Sequence, residues 1–571
     1  MKSFRGLLPV FLGIAAACAI ALIVIAGAAA PPPQSSKSVT ISLLSTTDVH
    51  GHIEPWDYYA DKPADLGLAK IATLVKQVRA GAPHALLLDC GDTIQGTPLA
   101  DYFAEKDASR PNPIIAAFNA MHYDAMAVGN HEFNFGLATL WKAMDESRFP
   151  WLAANVRQTD SHGARPFRSY IIKEVDGVRI GIVGFVTPGI PRWEIPEHYT
   201  GYEFEQIVDA ARRVIPEVRS KVDLLIVLMH SGLGPDLFAT TEGRSEEISG
   251  ENAALALADQ VPGIDLIFFG HTHRELSETF VNGALLTQAK NWGQSLARAD
   301  VVMSRDESGC WRVKSKHSRT IPVTPDVPAD AEIMRIAEPY HQITEKYLGT
   351  EIAVSDREMT GQYARYEDSP LVDLIHAVQL DAGHADVSMA TMFYTHTRIP
   401  AGPVTIRHAD SLYVYENMLY VVEMTGAQLK DALEHAASFF PGWPALAGQK
   451  LQLPGYNADS AAGVSYVVDL TQPVGQRIRD LQFRGQPLDP GKKLRVAINN
   501  YRYTGGGGYQ VYKGLPIVYR SSEEIRELLI QYLKRTKKFP ADASGNWKVI
   551  PPEALDAIKK AADANSRDQS R

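Results

Sequence analysis

"ISLLSTTDVHGH" (residues 41–52) is an apolar run that breaks off into Asp48 and His50. The same figure recurs four times. "HALLLDCGDTIQG" (84–96) ends in Asp92, and "AMAVGNHEF" (125–133) ends in Asn130 and His131. "DLLIVLMHSG" (223–232) ends in His230, and "IDLIFFGHTH" (264–273) ends in His271 and His273. Short runs rich in Val, Ile, Leu and Phe read as buried strands. Between them lie helical patterns such as "GLAKIATLVKQVRA" (67–80), with Leu68, Ile71, Val75 and Val78 on one face. Strand–helix alternation predicts an α/β domain, whose sites collect beyond the carboxyl ends of strands, where these polar residues fall. In "IIKEVDGVRIGIVGFV" (171–186) an Asp176-Gly177 pair between two β-rich runs signals a hairpin, so the sheets are expected to be mixed.

The chain has 571 residues, too many for one hydrophobic core, and its net charge of −9 gives no basis for binding a nucleic-acid polymer. Lys2 and Arg5 precede an apolar run to about Ala30, which reads as an export signal (1–30) followed by a tether (31–37). Export to a periplasmic or extracellular location is expected. The run is long enough that an uncleaved membrane anchor is the alternative. Of three cysteines only Cys90 and Cys310 lie outside that run, which makes neither a disulfide framework nor a structural zinc cluster. Nothing in the sequence sets the oligomeric state.

A proline-rich junction, "TIPVTPDVPADAEI" (320–333), closes a first domain expected over 38–325. It leads into a bridging helix (326–350) with Ile333, Ile336, Tyr340, Ile343 and Tyr347 at 3–4 spacing. A second domain (351–550) mixes helices such as "SPLVDLIHAVQLDA" with strands such as "KLRVAINN", and residues 551–571 are expected to fray.

A two-metal hydrolytic site needs several imidazoles and a shared carboxylate that offsets the repulsion of two nearby cations. Asp48, His50, Asp92, Asn130, His230, His271 and His273 supply such a set at the strand ends. The string Asp48-x-His50, Gly91-Asp92, Gly129-Asn130-His131-Glu132, His230 and Gly270-His271-Thr272-His273 resembles the signature of calcineurin-like metallophosphoesterases. Within them it is similar to the secreted 5′-nucleotidase family, including the bifunctional 2′,3′-cyclic-nucleotide 2′-phosphodiesterase/3′-nucleotidases. The resemblance implies an α/β metallophosphoesterase domain of mixed sheets with flanking helices, followed by a smaller α+β 5′-nucleotidase C-terminal domain. It implies one metal on Asp48, His50, Asp92 and His273, and a second on Asp92, Asn130, His230 and His271, with Asp92 bridging. The cofactors are then two divalent transition-metal ions, with Zn, Mn and Fe all suited to mixed nitrogen and oxygen ligands. Asn130 would border the phosphate and His131 would face the reacting phosphoryl group, while Glu132 reads as structural. Asn134 stands where many relatives carry Asp.

The same resemblance implies a small-molecule nucleotide substrate, with the membrane involved only if the N-terminal segment is uncleaved. Tyr456 in "PGYNAD" and Tyr501 in "NNYRYTGGGGYQVY" match base-stacking aromatics, beside Asn457 and the glycines 505–508. Arg398 in "FYTHTRIPAG" lies where 5′-nucleotidases carry a substrate-binding arginine, although the glycine run before it is absent. The helix "DSPLVDLIHA" also lacks their arginine. The stretches "EPWDYYADKPADLGLAKIATLV" (54–75), "GDTIQGTPLADYF" (91–103) and "YNADSAAGVSYVVDLTQP" (456–473) resemble the cyclic-phosphodiesterase/3′-nucleotidase branch, which implies hydrolysis of 2′,3′-cyclic nucleotides and 3′-nucleotides by attack of a metal-activated water. A 5′-nucleotidase or UDP-sugar hydrolase is the alternative, and a non-catalytic nucleotide-binding protein a third reading.

Overall fold

The computed structural model describes residues 38–159, 165–234, 249–444, 455–540 and 542–568, with side chains to 563. The expected export signal and tether lie outside the described residues. Among those described, no helix is long and apolar enough to cross a membrane.

Two six-stranded sheets build the first domain. One runs, in spatial order, Trp311–Pro322, Ser295–Arg305, Ser38–Thr46, Leu86–Asp89, Ala125–Ala127 and Trp151–Leu152. The other runs Leu276–Val281, Ala284–Gln288, Leu266–Phe269, Leu224–His230, Val178–Val186 and Tyr170–Val175. The central strands are parallel; both edges of the second sheet and the Ser295–Arg305/Trp311–Pro322 side of the first are antiparallel, whereas the edge strand Trp151–Leu152 is parallel, so the sheets are mixed as expected. The hairpin closes at Asp176 and Gly177, both with positive φ (52° and 79°), the combination a tight two-residue turn requires.

The long apolar runs follow from where these strands sit. Leu224, Ile226 and Leu228 pack with Ile41, Leu43 and Leu88 between the sheets. The alternate residues Leu225, Val227 and Met229 pack under the helices Ile207–Arg219 and Ala254–Gln260. A strand covered on both faces has no solvent side to show alternation. The result is a four-layer helix–sheet–sheet–helix stack whose strand ends meet at one rim.

The helix Ala331–Leu348, capped by Asp330, does not stand free between domains. Ile333, Ala337, Thr344 and Leu348 are buried, and its aromatic rings lie against the first domain, Tyr340 on Phe103 (4.7 Å) and Tyr347 on Tyr102 (5.0 Å). The same apolar cluster continues into Leu371, Ile375 and Leu529 of the second domain.

That domain centres on a five-stranded sheet in the order Ser460–Ala462, Val387–Ala390, Lys493–Asn499, Met418–Thr425, Ile517–Glu524. Its pairing directions bring four segments to one end: the residues after Ala390, those before Met418, those before Ser460, and those after Asn499. A smaller four-stranded sheet includes Val464–Asp469 and Trp547–Ile550.

The expected fraying of 551–571 is corrected over 552–568, while 569–571 lie outside the described residues. Pro552–Asp568 is a helix, and Ala554 and Ile558 bury their side chains in a core shared with Trp547 and Val549. Apolar burial of about 25 cal/mol per Å² holds such a segment down despite its polar composition.

Candidate active site

All seven predicted ligand positions lie at the converging strand ends. Two triads each bring one donor atom per residue within 4.8 Å of the others: Asp48, His50 and His273, and Asp92, His230 and His271. Asp92 Oδ2 lies 2.9 Å from His230 Nε2 and 3.8 Å from His50 Nε2, so this one oxygen stands between the triads. Five of the seven residues hold left-handed backbone: Asp48 (φ 50°), His50 (47°), Asp92 (58°), His271 (80°) and His273 (55°). Each such conformation costs about 1–3 kcal/mol and persists where the surroundings enforce it, which is a mark of functional sites.

The enforcing contacts are local. The loops after the first two parallel strands run side by side, Asp48 N donating to Gly91 O and His50 N to Asp92 O, both at 2.9 Å. A side chain at Gly270 would strike Thr47 and Asp48. Glu132 is buried, and its carboxylate accepts the backbone N–H groups of Gly129 (2.6 Å), Asp92 (2.9 Å), Thr93 (2.6 Å) and Ile94 (3.3 Å). Its role is structural: it folds the Asp92 loop against the Asn130 loop.

Hydrogen bonds fix which ring nitrogens face the centre. His230 Nδ1 donates to Cys90 O (2.8 Å), which leaves Nε2 towards Asp92. That Nε2 is buried and is not aligned with any hydrogen-bond partner; Asn130 Oδ1 is buried in the same condition. His50 Nε2 and His273 Nε2 face each other at 3.0 Å. Buried lone pairs converging without donors are what bound cations satisfy, so the residues fit a metal pair. His271 Nε2 lies 3.0 Å from Glu251 Oε1, a carboxylate orienting the ring so that Nδ1 is left for ligation. Charge divides unevenly without cations. Burial opposes a charged His230, but Asp92 prevails and raises it to about 10, whereas burial and the neighbouring His273 hold His50 well below its ordinary value.

His131 sits inside this ring, its backbone N–H on Asp92 Oδ1 (2.8 Å) and its Nε2 3.9 Å from Asp92 Oδ2. Asn134 Oδ1 is 2.5 Å from His131 Nδ1, and the Asn134 amide donates in turn to Glu194 Oε1 (2.5 Å).

The predicted tyrosines fall at the shared end of the second domain's sheet, Tyr456 before one strand and Tyr501 after another. Arg502, fully buried, ties both down: it donates to the Tyr456 carbonyl (2.9 Å) and its guanidinium lies 5.3 Å from the Tyr501 ring centre. Asn457 is 1% exposed and accepts from Arg502 (2.9 Å), which places it in the scaffold rather than at an open surface. Arg398 is placed differently from the tyrosines, with its side chain 72% exposed and paired with Glu358 at 3.3 Å.

Sequence reasoning missed three groups here. Arg365 is partly buried, donates to the Met392 carbonyl (2.7 Å) and neighbours Tyr415 and Tyr456. Tyr415 is 40% exposed, edge-on to Phe393 at 5.1 Å. Trp193 lies 5.4 Å from the His271 ring, and its carbonyl accepts from Asn500 Nδ2 (3.1 Å), which docks the tyrosine end of the second domain beside the metal triads.

Both domains have relatives among known proteins. Residues 41–275 match the calcineurin-like phosphoesterase family, and residues 348–514 match the 5′-nucleotidase C-terminal domain. The chain is 30% identical to the 2′,3′-cyclic-nucleotide 2′-phosphodiesterase/3′-nucleotidase of Haemophilus influenzae, across 93% of this chain and 91% of that protein. It is also 30% identical to the trifunctional nucleotide phosphoesterase YfkN of Bacillus subtilis, over 90% of this chain but only 39% of that longer protein. A crystal structure from Staphylococcus aureus, of a protein named for 5′-nucleotidase activity, superposes with a TM-score of 0.78 at 28% identity, covering 90% of this chain and 100% of that one. The chain belongs to the 5′-nucleotidase family of calcineurin-like metallophosphoesterases, dimetal hydrolases of phosphoric esters.

Proposed function

We propose that this protein removes phosphate from nucleotides, with 2′,3′-cyclic nucleotides and 3′-nucleotides as its substrates. The observation that carries the reading is the docking of the tyrosine-bearing sheet end against two adjoining ligand triads through Asn500 and Trp193. A base held between aromatic rings there leaves its phosphate at the triads. The full-length relative from Haemophilus influenzae, named for these activities, supports the same choice.

Asp48, His50 and His273 would hold one cation and Asn130, His230 and His271 the other, with Asp92 shared. When bound, two such cations polarise the phosphoryl group and acidify the attacking water. The chain's own residues do the rest. Asn134 takes the Nδ1 proton of His131 as a hydrogen bond, so Nε2 is the nitrogen presented to the phosphoryl oxygens and the leaving group. Glu132 fixes the loop bearing Asp92, and Glu251 fixes the His271 ring. Arg502 sets the positions of Tyr456 and Tyr501, and Tyr415 beside Arg365 offers a further ring for the base. Export is part of the proposal, carried by the Lys2–Ala30 pattern of the sequence.

The test is release of phosphate and nucleoside from 2′,3′-cyclic AMP, 3′-AMP, 5′-AMP and UDP-glucose, with Mn²⁺ or Zn²⁺ added and with a chelated control. Chelator-sensitive turnover of the first two is expected. Preference for the last two would move the assignment to the 5′-nucleotidase or UDP-sugar hydrolase branch, and no turnover of any would overturn it.

A further inference from the structure

His50 Nδ1 faces two oxygens of one residue, the backbone and side-chain carbonyls of Gln95, both at 3.2 Å. Gln95 is 3% exposed, and its amide nitrogen donates to Glu416 Oε2 at 2.5 Å, across 321 residues of sequence and from one domain to the other. The Glu416 side chain is itself 3% exposed, with Arg526 Nη2 at 3.6 Å from its second oxygen. Arg526 also donates to Asp101 of the first domain at 2.7 Å.

The Gln95 backbone carbonyl can only accept, so His50 Nδ1 carries the proton. Gln95 Nε2 donates to Glu416 Oε2, which turns the Gln95 side-chain carbonyl towards that same N–H as a second acceptor. The lone pair is left on Nε2, the atom aimed at His273 and Asp92. Without the side-chain acceptor the ring keeps its tautomer through the backbone carbonyl but is held by one contact instead of two. Glu416 directly follows Tyr415, so the residue that fixes the ring belongs to the loop that borders the base slot.

We propose that Glu416 is a positioning residue for the metal centre: acting through the Gln95 side chain, it holds the orientation of His50, and so couples docking of the second domain to cation binding in the first. The inference rests on the reading of His50 as a metal ligand. Coupling of this kind is reciprocal, so a bound cation also stabilises the docked arrangement.

The test is competition between the purified metal-free protein and a chromogenic chelator for Zn²⁺, which reads stoichiometry and affinity without any turnover. The wild type is expected to bind two ions. Gln95→Met and Glu416→Ala each weaken one of the two by about 10–100-fold, the usual effect of losing a group that orients a ligating histidine, and leave the other unchanged. The double variant is no weaker than Gln95→Met alone, because both act on one ring. Glu416→Gln still offers Gln95 an acceptor and keeps an affinity within about threefold of wild type. Gln95→Met carries the test alone should Glu416→Ala not fold. Two ions bound equally well by Gln95→Met, losses that multiply in the double variant, or a full loss in Glu416→Gln would each overturn the relay while leaving the metal reading intact. A wild type that binds no Zn²⁺ would overturn both.

Discussion

Arg502→Met should open the base slot without touching the metal centre. The guanidinium makes paired bonds to Asp459 (2.9 and 2.8 Å) and further bonds to Asn457 Oδ1 and the Tyr456 carbonyl, both at 2.9 Å. Arg502 and Asp459 side chains are each only 2% exposed. Methionine fills much of the volume but leaves Asp459 as a buried charge without a partner, a loss of about 3–5 kcal/mol. Urea denaturation followed by near-ultraviolet circular dichroism measures it, and adding Asp459→Asn should recover part of the loss by removing the stranded charge. The same change frees Tyr456 and Tyr501. Stacking is worth about 1–3 kcal/mol per base, so the KM for 3′-AMP should rise about tenfold. Turnover of p-nitrophenyl phosphate, which has no base, should stay near wild type. Destabilisation below about 1 kcal/mol together with an unchanged KM for 3′-AMP would refute the reasoning, because it would mean that the ion pair neither supports the domain nor shapes the slot.

His131→Ala should lower kcat on 3′-AMP by about 10²–10⁴-fold while two metal ions remain bound, which steady-state kinetics with metal analysis would check. Glu132→Gln should destabilise the first domain by about 1.5–3 kcal/mol and loosen metal binding, because a carboxamide cannot accept four backbone N–H groups with both its ends; thermal unfolding measures the first effect and chelator competition the second. Burial pushes Asp410 up to about 7, and burial with Asp101 nearby pushes Glu416 up to about 8. Folded carboxyls that keep protons the unfolded chain releases near pH 4 contribute stability that is full below that pH and is lost as pH rises through about 7–8. The metal-free protein should therefore unfold more readily at pH 9 than at pH 5.5, and Asp410→Asn should flatten that difference.

The first domain's site was legible because chain order and geometry coincide there. Each ligand closes an apolar run, and parallel strands deliver their carboxyl ends to one rim, so Asp48, Asp92, Asn130, His230 and His271 could be read off successive segments. Gln95, Glu416 and Trp193 were not legible: each acts through a partner remote in sequence, as in the 321-residue separation of Gln95 from Glu416. Arg398 holds the motif position, whereas the partly buried arginine beside the tyrosines is Arg365, which precedes the helix stretch "DSPLVDLIHA" instead of lying in it. The helix Pro552–Asp568 was misread because its few apolar residues, among them Ala554 and Ile558, gain their anchor only from the strand Trp547–Ile550 and the core behind it.

The most direct test of the two-metal account is an add-back titration. Metal-free protein receives increasing Mn²⁺ or Zn²⁺ while bound ion and 3′-AMP turnover are measured together, for the wild type and for Asp92→Asn. The account predicts no turnover in the metal-free protein, full turnover only as the second ion per chain binds, and loss of that second ion's contribution in Asp92→Asn. Full activity without metal, or saturation of activity at one ion per chain, would contradict it.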